Sequence, residues 1–155
     1  MRDEAVTARR LRVAIGLLAL AGAAVTAYLV YTRYTGTRLA CTTGGCETVQ
    51  HSKYAKAAGV PVAVLGFVAY LAVFATALST RIEAAGVGAA IALGGLAFGI
   101  YLIVVQVAVI DAICQWCLAS DAILAMLAVL TVERLRRLAA TPHEAYGHPP
   151  MAAHR

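Results

Sequence analysis

Charge is scarce in this chain, and the little there is lies bunched. Only 14% of the 155 residues are Asp, Glu, Lys or Arg, while 61% are hydrophobic. A water-soluble domain of this length could not hide so much apolar surface, so that class is excluded. Aromatic residues are few, with a single Trp, and none interleave with basic residues to make a base-stacking platform. The net charge of +5 therefore does not signal nucleic acid. His51, His143, His148 and His154 show no ligand spacing and none stands close to Cys114 or Cys117, which argues against a zinc site.

What the sequence does have is long runs without charge. Val13 to Val30 is the first, opened by Arg9, Arg10 and Arg12; residues 60–78 form the second, with Pro61 at its start. Residues 84–110 form the third, and 112–132 the fourth, interrupted by Asp121 and closed by Arg134, Arg136 and Arg137. About 20 apolar residues cross a bilayer core, so these runs predict an all-α membrane protein with a four-transmembrane-helix bundle. A single membrane domain over 1–137 is followed by a polar tail, 138–155, expected to be disordered. The first run exceeds a usual signal-peptide core, so it is read as a retained span. Gly95 and Gly99 form a small-xxx-small pair suited to close helix packing.

Basic residues orient the bundle. Arg2, Arg9, Arg10, Arg12, Arg81, Arg134, Arg136, Arg137 and Arg155 fall on the side of the termini, against Arg33, Arg38, Lys53 and Lys56 on the other. The excess predicts cytoplasmic termini. Arg outnumbers Lys eleven to two, a bias of high-GC bacterial genomes, and the expected location is a bacterial inner membrane.

The chemistry rests on four cysteines. Cys41 and Cys46 lie in the loop between the first two spans, separated by Thr-Thr-Gly-Gly; Cys114 and Cys117 form a C-x-x-C at the start of the fourth. The predicted topology puts all four on the non-cytoplasmic side, where disulfides persist. Gly44-Gly45 frees the backbone for Cys41 to meet Cys46, and a short helix is expected from Cys46 to about Ala57, ended by Gly59. A C-x-x-C at a helix start favours thiolate and exchange. The competing reading is a non-catalytic membrane subunit braced by two structural disulfides.

Taken together, Cys41-x4-Cys46, Ser52, Gly59-Val60-Pro61-Val62 with Gly66 and Tyr70, and Cys114-Gln115-Trp116-Cys117 resemble the vitamin K epoxide reductase family. The resemblance implies a four-helix bundle around a quinone, ubiquinone or menaquinone, and a quinone-dependent thiol oxidoreductase supporting disulfide formation. It assigns Cys117 to the quinone, Cys114 to exchange with Cys46, Cys41 to the reduced partner, and Ser52 to orienting the loop pair. Some relatives carry a fused thioredoxin-like domain; the implied partner here is a separate thioredoxin-fold dithiol oxidase on the non-cytoplasmic side. The position four residues after the second cysteine, a tyrosine in some animal relatives, is Asp121, which disfavours vitamin K epoxide as substrate.

Four further positions carry two readings each. Asp121 either moves protons to a reduced quinone or is a polar residue satisfied by a neighbouring helix. Gln106 either binds a quinone carbonyl or bonds a neighbouring helix, the latter preferred. Tyr70 either lines the quinone site or packs. Trp116 is read first as an interfacial anchor, together with Tyr31, and second as a shield for the sulfurs.

Overall fold

The computed structural model describes residues 2–145, with side chains from 5 to 140. The chain opens with a long helix, α1 (Arg2–Thr35), which stops where Gly36 turns left-handed at φ +68° and donates its N–H to Thr32 O at 3.0 Å. The loop that follows contains α2 (Cys46–His51) and a single 3₁₀ turn, Lys53–Ala55. The helix expected from Cys46 to about Ala57 is thus shorter. Ala58 and Gly59 both adopt positive φ, which makes the two-residue hairpin turn between β1 (Lys56–Ala57) and β2 (Val60–Pro61). Gly59 therefore closes a hairpin rather than a helix.

Three apolar helices follow: α3 (Val62–Leu78), α4 (Ile82–Val105) and α5 (Gln115–Ala145). The stretches Ala5–Thr35, Ile82–Ile110 and Gln115–Ala140 are long and apolar enough to cross a membrane. Helix α3 is equally apolar but has only 17 residues, about 25 Å at 1.5 Å per residue. The run at 60–78 is shortened because Val60 and Pro61 are spent on the hairpin. The C-terminal boundary also differs from expectation: α5 continues through 138 to Ala145, and residues 146–155 lie outside those described.

The fourth run does not begin as helix at 112. A π-helical turn over Gln106–Ile110 ends at Asp111, which sits left-handed at φ +52°, and Ala112 N–H bonds Gln106 O at 3.1 Å. Residues 111–114 are a connector, and α5 starts at Gln115.

Helix α1 packs on α3 and α5, and α4 packs on α3 and α5. Their shared core is built largely from Ile15, Ala19, Ala23, Tyr70, Val73, Ala92 and Leu127. The alanines let helices approach closely where the large side chains interlock. Gly22 makes room for the Tyr70 ring, and Gly95 and Gly99 lie against Leu124 and Asp121 of α5. The outward faces carry exposed Leu17, Val68, Val104 and Val129, an apolar exterior suited to lipid. At the end of the bundle bearing the chain's N-terminus, two arginines cap α3. Arg12 donates to Ala77 O and Leu78 O at 2.9 and 2.7 Å, and Arg134 to Thr76 O and Ser79 O at 2.9 and 2.5 Å. Both offset the negative helix terminus.

Candidate functional site

At the other end of the bundle the loop folds back over the start of α5. Cys41 and Cys46 are joined by a disulfide, while Cys114 and Cys117 are free thiols. Cys46 and Cys114 are both fully buried, and they share one cluster with Val49, flanked by Cys41, Ile110, Trp116 and Cys117. The two pairs, far apart in sequence, therefore meet through their inner members. Cys41 is half-buried and lies toward the exposed part of the loop.

Gly45 allows this contact. A Cβ there would stand 2.7 Å from both the N and the O of Ile113, so only glycine lets the loop backbone lie flat on the connector. Thr43 adds a hydroxyl bond to Ile113 O at 2.9 Å.

Cys114 occupies the N-cap of α5. Its carbonyl accepts from Leu118 N–H at 3.1 Å, and its sulfur accepts from Cys117 N–H at 3.3 Å. That is the geometry of a capping side chain, with sulfur in place of oxygen. The Cys117 thiol, then the amides of Cys117 and Trp116, hold the Cys114 thiol below its ordinary range, against the opposing effect of burial. Gln106 orients the same residue from the π turn, its buried Oε1 accepting Cys114 N–H at 2.9 Å. Its side-chain oxygen is thus engaged with the N-cap of α5, while the residue also lines the cavity beneath.

Below the sulfurs lies a cavity of about 220 Å³. It sits between α3, α4 and α5 and is roofed by residues 49–55. Its walls are mostly apolar, among them Leu65, Phe98, Leu102 and Leu124, and its polar residues are Gln50, Ser52, Tyr54, Tyr70, Gln106, Ser120 and Asp121, with Cys117 beside them. The cavity thus gathers Cys117, Tyr70, Gln106, Asp121 and Ser52, and leaves Cys41, Cys46 and Cys114 above it. Tyr70 is buried, and its hydroxyl bonds the carbonyl of Ser120 at 2.7 Å and the hydroxyl of Ser120 at 2.9 Å. Ser52 turns its hydroxyl back to Val49 O at 2.8 Å, closing α2. Arg33 caps the same helix by donating to Gln50 O. Asp121 faces Gly99 across the α4–α5 contact.

The sequence reading missed Ser120, the approach of Gly45 to Ile113, and the part played by Gln115 and Trp116. Gln115 Oε1 accepts from the N–H and hydroxyl of Thr42 at 3.0 and 2.5 Å, and its Nε2 donates to Ala40 O at 3.2 Å. Trp116 Nε1 donates to the same carbonyl at 2.7 Å, and its ring lies 5.0 Å from that of Tyr28. No spacing announces such contacts; adjacency to the cysteines was the available signal. Trp116 thus ties the loop to the start of α5.

The site is thus that of a helical membrane protein in which a loop disulfide, Cys41–Cys46, clusters with a second cysteine pair. Residues 13–132 match the vitamin K epoxide reductase family, and the chain is a member of it. Members of this family are in general oxidoreductases and use quinones.

Proposed function

We propose that this protein is a membrane thiol:quinone oxidoreductase that oxidises a thioredoxin-fold dithiol partner and so supports disulfide formation. In this reading α3 crosses the bilayer as a fourth, short span, with local thinning absorbing its length. The termini are then cytoplasmic and the cysteines face the periplasm or cell exterior of a bacterium. The observation that carries the proposal is the gathering of both pairs in one cluster, half-buried Cys41 beside buried Cys46 and Cys114, with Cys117 at the wall of an apolar cavity.

The cavity suits a quinone. Its wall is apolar, as a ring with a hydrocarbon tail requires, and polar groups stand beside Cys117 where ring oxygens would need partners. When bound, the quinone accepts two electrons and two protons and leaves as quinol. The protein's own steps balance as thiol–disulfide exchange. A partner thiolate attacks Cys41, the Cys41–Cys46 bond breaks, and Cys46 leaves as thiolate beside Cys114. The partner's second thiol then releases Cys41, and the partner departs as a disulfide. Cys46 attacks Cys114 of an oxidised inner pair and frees Cys117. Return of Cys41 to Cys46 restores the loop disulfide and leaves Cys114 and Cys117 as thiols, the arrangement seen in the structure. Cys117 is placed to deliver the electrons, and Cys114 to close the inner disulfide again. Asp121 on the cavity wall is a candidate proton donor to the ring.

The alternative, a subunit braced by two disulfides, gives no reason for the two pairs to share one cluster or for Cys117 to line an apolar cavity. The test is quinone reduction by purified protein in detergent, with a reduced thioredoxin-fold donor. Wild type should form quinol, and Cys117→Ala should form none while its Cys41–Cys46 disulfide is still reduced by the donor through a mixed disulfide at Cys41. Normal turnover by Cys117→Ala would overturn the order of the relay.

A further inference from the structure

The two residues between the cysteines of the C-x-x-C have no redox chemistry of their own. Yet both reach out of the motif onto the loop, and they do so around one residue. Gln115 bonds Ala40 O with its Nε2 and Thr42 N–H with its Oε1. Its side-chain amide thus sits beside Cys41 as a neighbouring strand would, with one bond on each side. Trp116 Nε1 takes the same Ala40 carbonyl, while Ala40 N–H goes to the Tyr28 hydroxyl at 3.1 Å.

These bonds are not needed to satisfy buried groups. Ala40 and Thr42 are exposed, so water would serve their polar atoms nearly as well. Residues 37–41 have no regular secondary structure; besides the disulfide and the Gln115 and Trp116 bonds, they are held by Leu39 packing on the cysteine cluster and by the Ala40–Tyr28 bond. What the bonds accomplish is placement. They fix the backbone on both sides of Cys41 and tie it to the segment that carries Cys114.

We propose that Gln115 and Trp116 form a clamp that holds the Cys41 segment on the start of α5, and that they are positioning residues for exchange between Cys46 and Cys114. This rests on the relay proposed above. Exchange within the buried cluster is a unimolecular step, so its rate follows the fraction of time the loop is docked. The clamp also keeps Cys41 close while it is joined to the partner or free, so that it can return to Cys46. The C-x-x-C thereby carries both the inner thiols and the dock for the outer pair.

The test needs no quinone. In a Cys41→Ser protein purified with its inner pair oxidised, Cys46 attacks Cys114 and frees Cys117; the Cys46–Cys114 bond is then quantified by maleimide labelling and peptide mass. Adding Gln115→Ala should lower the rate of that exchange about tenfold, the scale of one or two hydrogen bonds. Trp116→Phe keeps the ring beside Tyr28 and removes only the N–H; it should have a smaller effect in the same direction. Gln115→Glu retains the acceptor for Thr42 and should recover part of the loss. In the protein with all four cysteines, reduction of Cys41–Cys46 by a small dithiol should be as fast or faster in Gln115→Ala, because the loop is freer. Unchanged exchange in both Gln115→Ala and Trp116→Phe would overturn the clamp and leave the relay standing. Failure of the Cys41→Ser parent to form any Cys46–Cys114 bond would overturn both.

Discussion

Replacing Gly45 by alanine should peel the loop from the connector and uncover Cys114. The backbone at Gly45 is ordinary, φ −90° and ψ −7°, so alanine is not strained there. The added Cβ instead meets the N and O of Ile113 at 2.7 Å, and neither atom belongs to a side chain that could swing aside. Overpacking of this kind costs about 1–3 kcal/mol. The strain exists only while the loop is docked, so it falls on the docking equilibrium. At about 1.4 kcal/mol per factor of ten, the undocked population rises roughly five- to 150-fold. Cys114 is fully buried beneath that loop, so its alkylation by a small maleimide reads the undocked fraction. With Cys41–Cys46 kept oxidised, labelling of Cys114 in Gly45→Ala should accelerate by that factor. Gly94→Ala is the control, since a Cβ there meets nothing within 4 Å; its labelling should match wild type. Equal rates for Gly45→Ala and wild type would refute the claim that this glycine sets the approach of the two pairs.

Two further substitutions probe the bundle itself. Gly99→Val should close the cavity by forcing Asp121 aside, so quinone reduction should fall at least about tenfold, while a small dithiol still reduces Cys41–Cys46 at the wild-type rate; retained quinone turnover would show that this wall is not part of the site. Arg134→Met removes two bonds to the end of α3 and should destabilise the protein by about 2 kcal/mol, measured by thermal unfolding in detergent. That figure is reduced by the relief of burying a charge, and an unchanged midpoint would mean the cap contributes nothing net.

The long helices were legible because lipid imposes a simple rule: charge-free runs of sufficient length mark the segments that cross it. Helices α1, α4 and α5 each cover most of one such run. The boundaries were less legible. Nothing in composition distinguishes 112–114 from the helix that follows; the break comes from the left-handed turn at Asp111 after a π-helical stretch. Likewise Val60 and Pro61 read as part of an apolar run, and only their pairing with Lys56 and Ala57 takes them out of α3. Among the site residues, Gln106 showed its polarity in sequence but not its partner, the amide of Cys114.

By itself, the sequence determined that the chain is a membrane protein, that it carries two cysteine pairs, and which family it resembles. Those properties follow from composition, local spacing and motif order, which need no knowledge of distant contacts. Which sulfurs meet, where the cavity opens and what holds the loop were decided only by the tertiary structure. Each depends on residues about 70 positions apart, Gly45 against Ile113 and Ala40 against Gln115 and Trp116. Such contacts exist only once the helices have packed, and no local pattern encodes them.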